Sequence, residues 1–153
     1  MQIGIQRTLR FAAGPARAFS EVTALHNMPS FEGFALIPGI AEVQADGDVG
    51  QGSVLRVRNT DGSTHSEYVE AYEPSQCYRI RLEGFDSPFR FLVAQASEQL
   101  DFFAEGSGTR VEREFRFDLT SPWVLPLAFP LLHGLFAHAL DRNYERLREI
   151  VDG

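Results

Sequence analysis

The chain has 153 residues, of which 44% are hydrophobic and 23% charged, and its formal net charge is −7. That length and balance suit one globular domain, residues 1–153, and exclude a disordered chain. The acidic charge argues against a nucleic-acid partner, which needs a clustered basic face, and against electrostatic docking on anionic lipid. Lysine is absent and all 14 basic residues are Arg, so Schiff-base chemistry on a lysine is excluded.

The N-terminus, Met1-Gln2-Ile3-Gly4-Ile5-Gln6-Arg7, shows no apolar signal core. Cys77 is the single cysteine, so no intramolecular disulfide or cysteine-based metal site is expected, and a reduced cytoplasmic setting fits. Ile3, Ile5, Leu9 and Phe11 alternate with Gln6, Thr8 and Arg10, which predicts a half-buried strand; Arg7 interrupts its apolar face. Gly14-Pro15 opens a helix with Ala18, Phe19, Val22 and Leu25 at helical spacing, and Pro29 stops it. Phe31 to Pro38 reads as irregular or briefly helical.

Strands follow at Ile40 to Ala45, Ser53 to Arg58, Thr64 to Tyr72 and Cys77 to Leu82. Asn59-Thr60-Asp61-Gly62 supplies a hairpin signal. Phe89 to Glu105 reads as one long, bulged strand, because its alternation changes phase between Phe91 and Phe102. Arg110 to Leu119 is the cleanest strand, with Val111, Phe115, Phe117 and Leu119 on one face and Arg113 breaking that face. From Pro122 to Leu140 no residue carries a formal charge, His being neutral. Pro126, Pro130, His133, Gly134 and His138 lie within this run. Apolar spacing at Leu132, Phe136, Ala139, Leu140, Tyr144, Leu147 and Val151 continues beyond it, which predicts a buried helix with a kinked entry rather than a membrane span. The expected fold is α+β, an antiparallel meander covered on its apolar face by the terminal helix.

The order of several pieces carries a resemblance over nearly the whole chain. They are Ala13-Gly14-Pro15-Ala16-Arg17-Ala18-Phe19 after the first strand, Ile37-Pro38-Gly39-Ile40, Gly50-Gln51-Gly52-Ser53, Glu70-Ala71-Tyr72-Glu73-Pro74 before Tyr78-Arg79-Ile80, and Gly108-Thr109-Arg110-Val111. The chain resembles the START/Bet v 1-like (SRPBCC) superfamily, in particular its polyketide cyclase/dehydrase-like proteins. The resemblance implies a helix-grip fold: a seven-stranded curved antiparallel sheet wrapped around a long C-terminal helix, with short helices between the first two strands. It also implies neighbouring first and last strands, and a cavity for a lipid, polyketide or aromatic metabolite. That superfamily has no universal catalytic motif, so no catalytic residue is carried over, and no cofactor is expected.

Candidate pocket residues follow from charges and aromatics on apolar strand faces. Arg7 and Arg113 are read as a pair able to clamp a ligand carboxylate or phosphate; the competing reading is strand-end arginines reaching water, or pairing with Glu67. His65 and Glu67 share a face, and Glu67 is a candidate general base. Tyr78 leads the tyrosines as a hydroxyl donor. Phe91, Phe102, Phe115 and Phe136 are candidate lining residues, and His133 a single proton carrier. No metal site is expected, because His133 and His138 are five apart and point to different faces of a helix. The expected partner is a small hydrophobic molecule, with a homodimer left open and no stable membrane insertion. The alternatives are a polyketide cyclase/dehydratase-type enzyme and a lipid chaperone that touches membranes through Trp123-Val124-Leu125-Pro126-Leu127. That segment is expected to pack inside the domain.

Overall fold

Period-two alternation builds the sheet. In the computed structural model, which describes residues 1–153, β1 (Gln2–Phe11) buries Ile3, Ile5, Leu9 and Phe11 and turns the residues between them outward. α1 (Pro15–Thr23) starts with its proline in the first turn and buries Ala18, Phe19 and Thr23. The regular helix ends earlier than predicted. A 3₁₀ stretch, Leu25–Ser30, takes over with Pro29 inside it, because proline offers no N–H to an α-helical ladder. The segment predicted as irregular or briefly helical holds two short strands, β2 (Gly33–Phe34) and β3 (Ile37–Pro38), paired with each other. A Cβ at Gly39 would lie 2.5 Å from the Glu32 backbone, so this crossing admits only glycine.

The meander then runs through β4 (Ile40–Ala45), β5 (Val54–Asn59), β6 (Thr64–Glu73), β7 (Cys77–Glu83), β8 (Val93–Glu105) and β9 (Gly108–Leu119). The main sheet has seven strands in the order β1-β9-β8-β7-β6-β5-β4. The last strand therefore pairs antiparallel with the first, and Arg7 stands directly opposite Arg113. The long strand begins at Val93 rather than Phe89: Phe89–Phe91 forms a 3₁₀ turn, and the register shifts between Val93 and Gln95. From there the parity is regular, with Ala96, Glu98, Leu100 and Phe102 buried.

Helical structure runs from Pro122 to the C-terminus: a 3₁₀ turn (Pro122–Val124), α2 (Leu125–Phe129), a π-helical stretch (Pro130–Phe136) and α3 (Ala137–Asp152). By length and composition this run suffices to cross a membrane; here Ala128, Leu132, Ala137 and Leu140 pack into the core against the sheet. α3 buries Ala139, Leu140, Asn143, Leu147 and Val151 along one stripe. Its far end is tied down by polar contacts. The Asp152 carboxylate accepts the Ala12 and Ala13 N–H groups at 2.9 and 3.1 Å. The Tyr144 hydroxyl accepts the Arg10 N–H and donates to the Arg10 carbonyl, both at 3.0 Å. The sheet grips the helix, and the core divides in two. One cluster joins Leu9, Phe11, Phe19 and Phe102 to Leu147 and Val151; the other joins Ile3, Phe115 and Phe117 to Leu132 and Leu140.

Candidate functional site

Between these clusters the sheet and the helix do not meet, and a cavity of about 550 Å³ lies in the gap. That size is ordinary for a small-molecule site. Its walls are mainly apolar, including Val22, Ile37, Ile80, Leu82, Phe115 and Phe136. The exposed lining residues Leu36, Asp61, Asp86 and Pro88 mark its mouth. The Phe85–Phe89 loop forms one rim, where Phe85 packs edge-on against Phe89 with ring centres 4.9 Å apart.

Two carboxyls interrupt the apolar floor. Glu67 on β6 sits opposite Leu82 of β7, and Glu98 on β8 sits opposite Ile80. Both carboxyls thus project from one sheet face on either side of β7. Arg113 donates from Nε to Glu98 Oε2 at 2.6 Å and from Nη1 to Asn143 Oδ1 at 2.8 Å. Asn143 donates in turn to Ser30 Oγ at 3.0 Å. This chain crosses from β8 and β9 to α3 and the 3₁₀ stretch, a polar strut through an apolar interior. Burial pushes the Glu98 carboxyl above the usual carboxylate range; Arg113 pulls it back in part, and the charge of Glu67 pushes it up further.

Glu67 is 2% exposed and does not meet an arginine. His65 Nε2 lies 2.8 Å from its Oε2. The amide Nδ2 of Asn59 faces His65 Nδ1 at 3.3 Å. A donor there requires Nδ1 to accept, so the proton belongs on Nε2 and is donated to Glu67. The other carboxyl oxygen, Oε1, is buried and has no hydrogen-bond partner. Tyr78, at the same floor, is held protonated far above the usual phenol range, by burial first and then by the charges of Glu67 and Glu98.

Glu67, Tyr78, Arg113, Phe115 and Phe136 line the cavity; Arg7, Phe91, Phe102 and His133 do not. Arg7 has the predicted strand parity, but β1 is an edge strand, so the side chain reaches outward to Asp141 at 2.8 Å and its own neighbour's carbonyl. Arg113 is already engaged by Glu98 and Asn143. The two arginines therefore form no anion clamp, and Glu67 pairs with neither. Phe91 is 59% exposed, because it lies in the 3₁₀ turn before β8 rather than in the strand. Phe102 is buried in the packed end against Phe19, ring centres 5.1 Å apart. His133 points to solvent from the π-helical stretch and stacks on Phe129; His138 is likewise exposed, beside Phe34. Trp123, expected inside the domain, is 90% exposed.

Glu98 and Asn143 escaped the sequence reading. Glu98 has the same signature as Arg113, a charge on an apolar strand face, but the misplaced start of the strand hid its parity. Asn143 falls on the helical stripe between Leu140 and Leu147 and is the one polar side chain buried there. No group of three or more His, Cys, Asp or Glu side chains is placed to hold a metal ion.

A family model described as "Polyketide cyclase / dehydrase and lipid transport" matches residues 2–152. No curated protein matches the chain. Among solved structures, Ara h 8.0201 superposes with a TM-score of 0.73 at 17% identity, covering 99% of this chain and 98% of its own. Norcoclaurine synthase from Thalictrum flavum, in complex with dopamine and hydroxybenzaldehyde, gives 0.69 at 14% identity over 97% of this chain and 88% of its own. The di-domain ARO/CYC StfQ from the steffimycin biosynthetic pathway gives 0.74 at 13% identity over 99% of this chain and 51% of its own. At these identities the likeness is one of fold.

Proposed function

The chain belongs to the polyketide cyclase/dehydrase and lipid transport family, and from that premise we propose that it binds a small, mostly apolar or aromatic molecule between the sheet and the C-terminal helix. The carrying observation is the 550 Å³ cavity itself, mainly apolar in its walls, with polar side chains at its mouth and a few convergent polar groups on its floor. Removing apolar ligand surface from water supplies affinity at about 25 cal/mol per Å². The floor groups set orientation.

A neutral dye that brightens in apolar surroundings, N-phenyl-1-naphthylamine, tests this directly. Saturable brightening is expected, with competition by neutral aromatics and loss in Ala96→Trp, which places an indole into the cavity from a fully buried lining position. Absence of saturable binding in the parent protein contradicts the proposal. Cyclase or dehydratase turnover of a polyketide-like substrate is a narrower form of the same reading. It draws on the His65–Glu67 pair as the proton-handling groups in the enclosure.

A second reading, carriage to or from a bilayer surface, is favoured by one feature of the outer face. Trp123, Leu127 and Phe129 are exposed on a helical run without charged residues, and Leu36 is exposed at the cavity mouth. A tryptophan-led apolar surface suits the membrane–water interface. Flotation with zwitterionic liposomes, weakened by Trp123→Ala, is the expected result; failure of the parent protein to float rejects it.

A further inference from the structure

The floor of the cavity has a polarity of its own. Arg113 gives its Nε–H to Glu98 and one Nη1–H to Asn143, and His65 directs its Nε2–H at Glu67. The Glu67 carboxyl is held on one oxygen only. Its second oxygen, Oε1, is a buried acceptor on a cavity-lining side chain and meets no donor from the protein. Buried polar atoms without partners are rare in folded proteins, because each forfeits its hydration and gains nothing in exchange. Nor is the rest of the floor anion-friendly: two carboxyls, Glu67 and Glu98, stand against one guanidinium.

We propose that Glu67 Oε1 is the specificity-determining acceptor of the cavity, and that the guest is an aromatic or polycyclic molecule presenting a neutral hydroxyl to it, not a carboxylate. The hydroxyl donates to Oε1, while His65 and Asn59 hold the carboxyl from behind. A ligand carboxylate brings no hydrogen to Oε1 and faces two carboxyls against a single guanidinium, which is itself paired with one of them. An ether oxygen has the size of a hydroxyl but nothing to donate, so it leaves Oε1 as it was. A hydrogen bond to a charged group in a dry site is worth about tenfold or more in affinity.

This inference rests on the cavity reading above, and the probes separate the two. Competition with the neutral dye at pH 7 compares naphthalene, 2-naphthol, 2-methoxynaphthalene and 2-naphthoate. The expected result is 2-naphthol at least about tenfold tighter than naphthalene and the methyl ether, with 2-naphthoate weakest. If naphthalene and the ether bind as well as 2-naphthol, the acceptor role is overturned while the cavity stands. If the dye itself shows no saturable binding, both fall; if the dye binds and none of the four displaces it, the acceptor role is overturned. Glu67→Gln sharpens the test, since its amide oxygen can accept from His65 while its NH₂ group turns toward the guest. The 2-naphthol advantage is then expected to shrink to within about twofold and 2-naphthoate to gain on it. A full preference for 2-naphthol in a folded Glu67→Gln protein overturns the assignment. The comparison within the parent protein decides the matter even where that variant does not fold.

Discussion

The two ends of the gripped helix behave differently. At the C-terminal end, α3 is an amphipathic helix fastened to β1 and α1 through Leu147, Val151, the Tyr144 hydroxyl and the Asp152 carboxylate. At its N-terminal end the chain enters through three prolines and a π-helical stretch, with Trp123, Leu127 and Phe129 exposed. One end closes the domain and the other leaves it open. The Arg113–Glu98–Asn143 strut spans the interior where α3 rises over the cavity. Apolar residues serve packing at one end and access at the other; their sequence character alone does not say which.

Mutations should separate the two ends in order of cost. Arg113→Leu leaves Glu98 buried without its counter-charge and is expected to destabilise by about 3–5 kcal/mol in urea denaturation. A loss below about 1 kcal/mol would show that the strut carries little. Leu147→Ala, at the closed end, is expected to cost about 2–5 kcal/mol through lost burial and a residual cavity. Glu98 gives a pH signature of the strut. Its pKa is raised in the folded state, so between the ordinary carboxylate value and the raised one the native protein holds a proton that the unfolded chain has released. Its stabilising share is full at low pH and is lost as pH rises through the raised value. The stability of wild type relative to Glu98→Gln should therefore fall with rising pH, and a flat difference would contradict the shift. Arg7→Leu removes only a half-exposed pair with Asp141 and should cost less than about 1 kcal/mol. Trp123→Ala, at the open end, should change stability by less than about 0.5 kcal/mol; a larger loss would mean that this tryptophan serves the core after all.

Most of the architecture was legible because alternation and helical spacing are local. β1 and β9 announced their buried faces, and Arg113 announced itself as a charge among apolar neighbours. Three local events defeated the same logic. The 3₁₀ turn at Phe89–Phe91 and the register shift after Val93 moved the start of β8, which hid Glu98 and misplaced Phe91. The π-helical stretch at Pro130–Phe136 changed the angular step along the helix and turned His133 outward while Phe136 stayed inward. Arg7 had the expected parity, but an edge strand lets a long side chain reach water, a fact of strand order that its own segment does not contain. Pairing was the least legible feature. Glu67 meets His65 on its own strand, whereas Glu98 with Arg113 is a choice among several charges on one face, settled by the register of β8 against β9.

The most direct test is an NMR titration of the protein with methyl groups labelled, using 2-naphthol as guest. Intermolecular NOEs from the naphthyl ring to the methyls of Ile80, Leu82, Leu100 and Leu147 are expected, since these side chains line the cavity from sheet and helix together. NOEs confined to Leu36, Leu127 or other exposed methyls, or none at saturating guest, would contradict an occupied space between sheet and helix.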